Sequence, residues 1–188
     1  MQKITLFFLA VMTAFTISSC KKTEEVAPAT VVGKWNLVGI TGITDLQTFT
    51  ATNEEIKKNV PNVTVTAFAY EFLSDGTFNV LDDKGVKDIE DSGKYVLTTD
   101  KKTATLTTNK DTNGNIYIYI FEISTLSNTE LKLSSPKLTK VNNKFTATST
   151  SEAVSAFYTQ IAILAKGGTV ANDYNKATTV QAVLNFKK

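Results

Sequence analysis

The stretch Tyr70-Glu71-Phe72-Leu73-Ser74-Asp75-Gly76-Thr77-Phe78 decides the fold class. Aromatic and β-branched residues flank Ser74-Asp75-Gly76, the composition of strands on either side of a turn. Asp-Gly reaches positive φ at little cost, so the chain reverses tightly there and two antiparallel strands follow. The same pattern repeats outward in both directions. Strands are expected over 32–40, 63–73, 77–81, 93–98, 103–108, 116–124, 130–134, 138–141 (open to extension as far as 148) and 179–186. Residues 99–102 and Asp111-Thr112-Asn113-Gly114-Asn115 are further reversals. Short strands with short links make an antiparallel meander, which closes as a barrel or packs as a sandwich. The expected class is mainly β, with a C-terminal amphipathic helix and a final strand.

Two segments depart from the strand pattern. In 52–60, Thr52 and Glu55 have capping-box spacing and Pro61 stops the helix they open. In 149–166, Ser149 and Glu152 repeat that spacing, and Gly167-Gly168 supplies the stop. Val154, Phe157, Tyr158, Ile161, Leu164 and Ala165 share one face of this helix, which is expected to pack on the sheet.

Composition excludes much chemistry. Of 188 residues, 20 are basic and 18 acidic, and every basic one is lysine. With no histidine there is no Ser-His-Asp or Cys-His catalysis and no imidazole ligand. Without arginine there is no bidentate clamp for phosphate or carboxylate. A formal charge of +2 gives no electrostatic footprint for nucleic acid. One cysteine forms no internal disulfide.

That cysteine has a distinctive setting. Lys3 is followed by an apolar run, 4–17, too short for a membrane span and suited to a signal-peptide core. The run ends at Ile17-Ser18-Ser19-Cys20, which resembles a bacterial lipobox. The resemblance implies cleavage before Cys20 and acylation of Cys20, with two or three chains anchoring the protein stably in a bilayer. Residues 1–19 are then the lipoprotein signal peptide and 20–30 a polar, Pro-containing tether. Residues 31–188 form the folded domain. The expected location is the Gram-negative cell envelope, on the periplasmic or surface face of the outer membrane.

Gly33-Lys34-Trp35 stands at the start of the first expected strand. It is similar to the Gly-x-Trp signature that opens the first strand of lipocalins. The order of elements also resembles that family: a long first loop with a small helix, a meander, a C-terminal helix and a last strand. Residues 70–78 and Ser92-Gly93-Lys94-Tyr95 look like segments of lipocalin-like bacterial lipoproteins. The resemblance implies a barrel closed at its base by Gly33 and Trp35, with a small apolar ligand in its mouth. The family's Thr-Asp-Tyr motif has no clear counterpart: Thr129-Glu130-Leu131 lacks the tyrosine, and Asn172-Asp173-Tyr174 comes too late. The family's arginine over the tryptophan is absent, which leaves Lys140 or Lys144 to take that place by a cation–π contact.

Trp35 facing inward puts Leu37 on the same side. The candidate pocket residues are the strand aromatics Phe68, Tyr70, Phe72, Phe78, Tyr95, Tyr117 and Tyr119. They either line a cavity or fill the core. The run 116–121 is apolar on both faces, so one face meets the interior and the C-terminal helix is expected to cover the other.

Asp111, Asn113, Asn115 and Glu122 match four ligand positions of a calcium loop. However, seven extended steps of about 3.3 Å carry Glu122 roughly 23 Å from Asn115, so the stretch reads as a hairpin turn. The acidic run 82–91 reads as a solvated loop and Glu71 and Glu122 as outward strand residues. No catalytic motif, metal site or cofactor is expected. The expected protein is a monomeric, membrane-anchored lipoprotein that binds a small apolar or amphipathic ligand, with no nucleic-acid partner. The alternative is a non-enzymatic interaction or structural lipoprotein with a filled core, making contacts through 41–62 and the acidic loop.

Overall fold

A computed structural model describes residues 29–61, 69–82 and 84–188. The lipobox with Cys20, most of the tether and Phe68 lie outside the described residues.

Eight antiparallel strands close into a lipocalin-like barrel. β1 (Gly33–Thr44) carries the closure. One edge of its first residues pairs with β3 (Ala69–Phe72), with Trp35 opposite Tyr70. From Asn36 onward its other edge pairs with β10 (Thr179–Lys187). Between them runs the meander of β4 (Thr77–Leu81), β5 (Lys87–Leu97), β6 (Thr103–Thr108), β7 (Ile118–Leu126) and β8 (Glu130–Ser134). Two short strands extend the rim. β2 (Thr48–Thr52) folds back on the second half of β1, and β9 (Leu138–Thr139) lies beside the start of β10.

Boundaries differ from the sequence expectation for local reasons. β1 continues past Ile40 to Thr44 because both edges of that half are paired, to β2 and β10. β5 starts at Lys87, inside the stretch expected to be a solvated loop. The strand expected over 138–141 ends at Thr139. Asn142 and Asn143 adopt φ of 50° and 58°, turning the chain so that Val141 bridges Lys144.

Alternation sets the interior. Trp35, Leu37, Phe72, Leu106, Phe121 and Phe186 are all buried on the inner face. Gly33, the turns after β3, β5 and β7, and the C-terminus gather at one end, which is filled. Trp35 is fully buried there and its indole Nε1 donates to the Val31 carbonyl at 2.6 Å. Gly33 adopts φ +127°, a region side chains avoid, and a Cβ there would come within 3.3 Å of Lys188 Cε. The Lys188 ammonium stands over the Trp35 ring. Neither Lys140 nor Lys144 holds that place. Lys140 instead stands over Phe145 and donates to the Asn175 carbonyl.

At the opposite end lie the helices. α1 (Asn53–Asn59) has the expected capping box, with Thr52 accepting from the Glu55 amide and the Glu55 carboxylate accepting from the Thr52 amide. α2 (Thr150–Ala165) is capped by Ser149 and lies across the inner face of the projecting ends of β1, β2 and β10. Ion pair Lys166–Glu55 (2.7 Å) and a bond from Asn59 Nδ2 to the Ala165 carbonyl (2.7 Å) fasten α2 to α1.

The face of α2 that packs is only partly the apolar one expected: Ile161 and Ala165 of that face are buried and Val154 and Tyr158 are partly so, but small and hydroxyl residues pack as well. Ser151, Ser155, Thr159 and Ala162 are buried, whereas Phe157 and Leu164 are exposed. Closeness explains this. A Cβ on Gly42 would stand 3.0 Å from both Ala162 Cβ and Thr159 Cα, so only small side chains fit between helix and strand. The buried hydroxyls are satisfied: Ser155 Oγ bonds Ser135 Oγ at 2.8 Å, and Thr159 Oγ1 donates to the Gln181 carbonyl at 3.0 Å. This position also leaves the outer face of β7 uncovered. Ile118 and Ile120 are about half exposed, contrary to the expectation that α2 would shield them.

Candidate functional site

Because α2 sits across the barrel end without filling it, a cavity of about 420 Å³ remains between its first turns and the strands. The size falls in the range of small-molecule sites. Its depth is apolar: Phe78, Phe121 and Leu184 are buried, and Val80 and Val154 are half-buried. Tyr70, Tyr119 and Tyr158 bring hydroxyls to its walls. Asp82, Asp88, Asp91, Ala153 and Phe157 line its rim.

The acidic rim comes from an irregularity in β5. Val80 is opposite Asp88, yet Phe78 is opposite Gly93, so residues 89–92 bulge out of register. Ser92 holds the bulge together. Its buried hydroxyl donates to the Asp88 carbonyl and accepts from the Val80 amide at 3.0 Å. Asp88 accepts from the amides of Glu90 (2.9 Å) and Asp91 (3.1 Å), closing the turn. Asp82 accepts from the amides of Lys84 and Val86 and shapes the β4–β5 connection. Bulges re-aim side chains at functional rims, and here the re-aimed residue is Asp91.

Asp91 is set apart electrostatically. Loss of hydration around its carboxyl, then repulsion from Asp88 and Glu90, holds its pKa above the usual aspartate value. Burial pushes the Tyr158 phenol up to about 12, with Tyr119 and the Asp91 charge adding to it. Burial also raises Tyr119 and, further, Tyr70, and the negative charge of Asp91 contributes to both. All three phenols stay protonated at neutral pH as hydrogen-bond donors and acceptors around one carboxylate.

The sequence-derived candidates are distributed over the molecule. Tyr70, Phe78 and Tyr119 line the cavity. Phe72 and Tyr95 lie deeper, in edge-to-face contact at 5.0 Å, and Tyr95 donates its hydroxyl to the Leu73 carbonyl. Tyr117 precedes β7, and its hydroxyl bonds Asp111 Oδ2 at 3.1 Å in the β6–β7 turn. Asp111 also accepts from the amides of Asn113 and Asn115, so this loop is an Asx-type turn. Glu122 pairs opposite Thr103, away from that turn. The cavity residues outside the sequence-derived candidates include Asp91, Val154, Phe157 and Tyr158. Val154, Phe157 and Tyr158 carry a signal, the N-terminal half of the apolar stripe of α2, whose C-terminal half (Ile161, Ala165) is buried in the core.

Comparison with protein-family models, with curated proteins and with solved structures finds no match to this chain.

Proposed function

We propose that the protein is a lipid-anchored lipoprotein of the bacterial cell envelope, similar to lipocalin-like lipoproteins, whose barrel binds a small apolar or amphipathic molecule. The observation that carries the binding role is the cavity of about 420 Å³ under α2, apolar in its depth and polar at its rim. The filled Trp35 end and the roofed opposite end make a one-ended container, which suits uptake and release of a small ligand. The lipobox-like Ile17-Ser18-Ser19-Cys20 supports the anchor.

Native mass spectrometry of the full chain purified from membranes tests the binding role. A co-purifying small molecule that disappears in Val154→Trp, which blocks the cavity, is the expected result. Absence of any bound molecule, together with no uptake of an apolar fluorescent probe, overturns it. A second reading rests on the uncovered outer face of β7. Ile118 and Ile120, with Val96 two strands away, form an exposed apolar patch suited to a protein partner. Crosslinking in intact cells from these positions tests that reading.

A further inference from the structure

Two polar groups facing the cavity have no partner of their own. The Asp91 carboxylate accepts no hydrogen bond and pairs with no lysine among the described residues. The largely buried Tyr158 hydroxyl likewise bonds no described residue. The neighbouring acids differ, since Asp82 and Asp88 each spend an oxygen on their own turns. Among the described residues lining the cavity, every ionisable group other than the tyrosines is an aspartate and none is a lysine. Asp91 lies exposed at the rim, where its carboxyl loses part of its hydration and meets the like charges of Asp88 and Glu90, and a cation placed beside it relieves both.

We propose that the cavity selects amphipathic cations: an apolar body in the barrel and a protonated amine at the rim, held by Asp91 with the Tyr158 hydroxyl beside it. This deepens the ligand-binding role and rests on it. The aliphatic part packs on Phe78, Val80, Phe121 and Leu184. The exposed Phe157 ring stands at the same rim, where an aromatic face also favours a cation. At about 30 Å³ per non-hydrogen atom, the volume of a water in the liquid, the cavity takes a ligand of roughly a dozen such atoms. An anionic ligand of the same shape meets Asp82, Asp88 and Asp91 with like charge and is rejected.

The test titrates the full chain with decylamine, decanol and decanoate, each below its aggregation concentration, and follows heat of binding at neutral pH. Decylamine is expected to bind at least tenfold more tightly than decanol, with decanoate the weakest. Asp91→Asn is expected to abolish the preference for decylamine over decanol. Tyr158→Phe is expected to weaken decylamine severalfold. Equal binding of all three probes, or an amine preference that survives in Asp91→Asn, overturns the charge selectivity while leaving the ligand-binding role intact. Failure of all three to bind overturns the ligand-binding role itself.

Discussion

The Lys188 Nζ lies 4.6 Å from the centroid of the Trp35 ring, so the residue just past β10 covers a fully buried residue of the first strand. The stem of Lys188 runs beside Gly33, whose φ of +127° suits a residue without a side chain. The ammonium seals an aromatic floor that the aliphatic core fills from the other side.

Removing that contact gives the first prediction. Lys188→Ala is expected to lower stability by about 0.5–2 kcal/mol, the span of cation–π contributions. Trp35→Ala is expected to cost about 3–5 kcal/mol, as for large aromatics lost from cores. Urea denaturation followed by far-UV circular dichroism measures both. An equal loss in the two variants would show that Trp35 packing depends wholly on its cover.

At Gly42, β1 stands against Thr159 and Ala162 of α2, and a larger residue there must displace the helix. Gly42→Val is expected to destabilise the fold by about 1–3 kcal/mol, the usual cost of overpacking. Hydrogen exchange is expected to show faster opening of α2 with little change in β5 and β6. Uniform acceleration across the barrel would count against a local displacement.

Asp45 ties the β1–β2 turn to the start of β10. It accepts from the Thr178 hydroxyl at 2.7 Å and from the amides of Thr178 (2.8 Å) and Thr179 (3.2 Å). These bonds, the hydroxyl first, lower its pKa to about 2. A depressed carboxylate adds stability above its unfolded pKa of about 3.9 and loses it as pH falls toward the folded value. Between pH 4 and about 2, the wild type is therefore expected to lose stability more steeply than Asp45→Asn. Parallel pH profiles for the two proteins would refute this role.

Cys20→Ala tests the anchor. The variant is expected to lack acyl chains and to accumulate uncleaved or soluble. Mass spectrometry of membrane and soluble fractions reads the acyl mass directly. A cleaved variant that still sediments with membranes would be incompatible with a lipobox.

The meander was legible because its turns are chemically explicit. Ser74-Asp75-Gly76 and the Asp111 loop reverse the chain through their own side chains, independent of distant contacts. The barrel's base was legible in Gly33 and Trp35, but its cover was not, because Lys188 reaches Trp35 only after the barrel has closed. The position of α2 was hidden for a different reason. Ser151, Ser155 and Thr159 look solvent-facing by hydropathy, yet all are buried: Thr159 because Gly42 lets helix and strand approach closely, Ser151 and Ser155 by hydrogen bonds to the Ile120 amide and to Ser135. The rim escaped notice because a β-bulge depends on partner register, and residues 89–92 read alone as a charged loop.

The pairing of Leu37 with Phe186 has a temporal meaning. The seam of the barrel joins the first strand to the last, so nearly the whole domain must be present before the cylinder exists. Contacts this distant in sequence form slowly, because the loop entropy is lost before the contact rewards it. In a chain that emerges N-terminus first, Trp35 waits uncovered until the nine residues of β10 arrive. The seam therefore works as a completion check: without β10 the barrel cannot close and its tryptophan stays open to water.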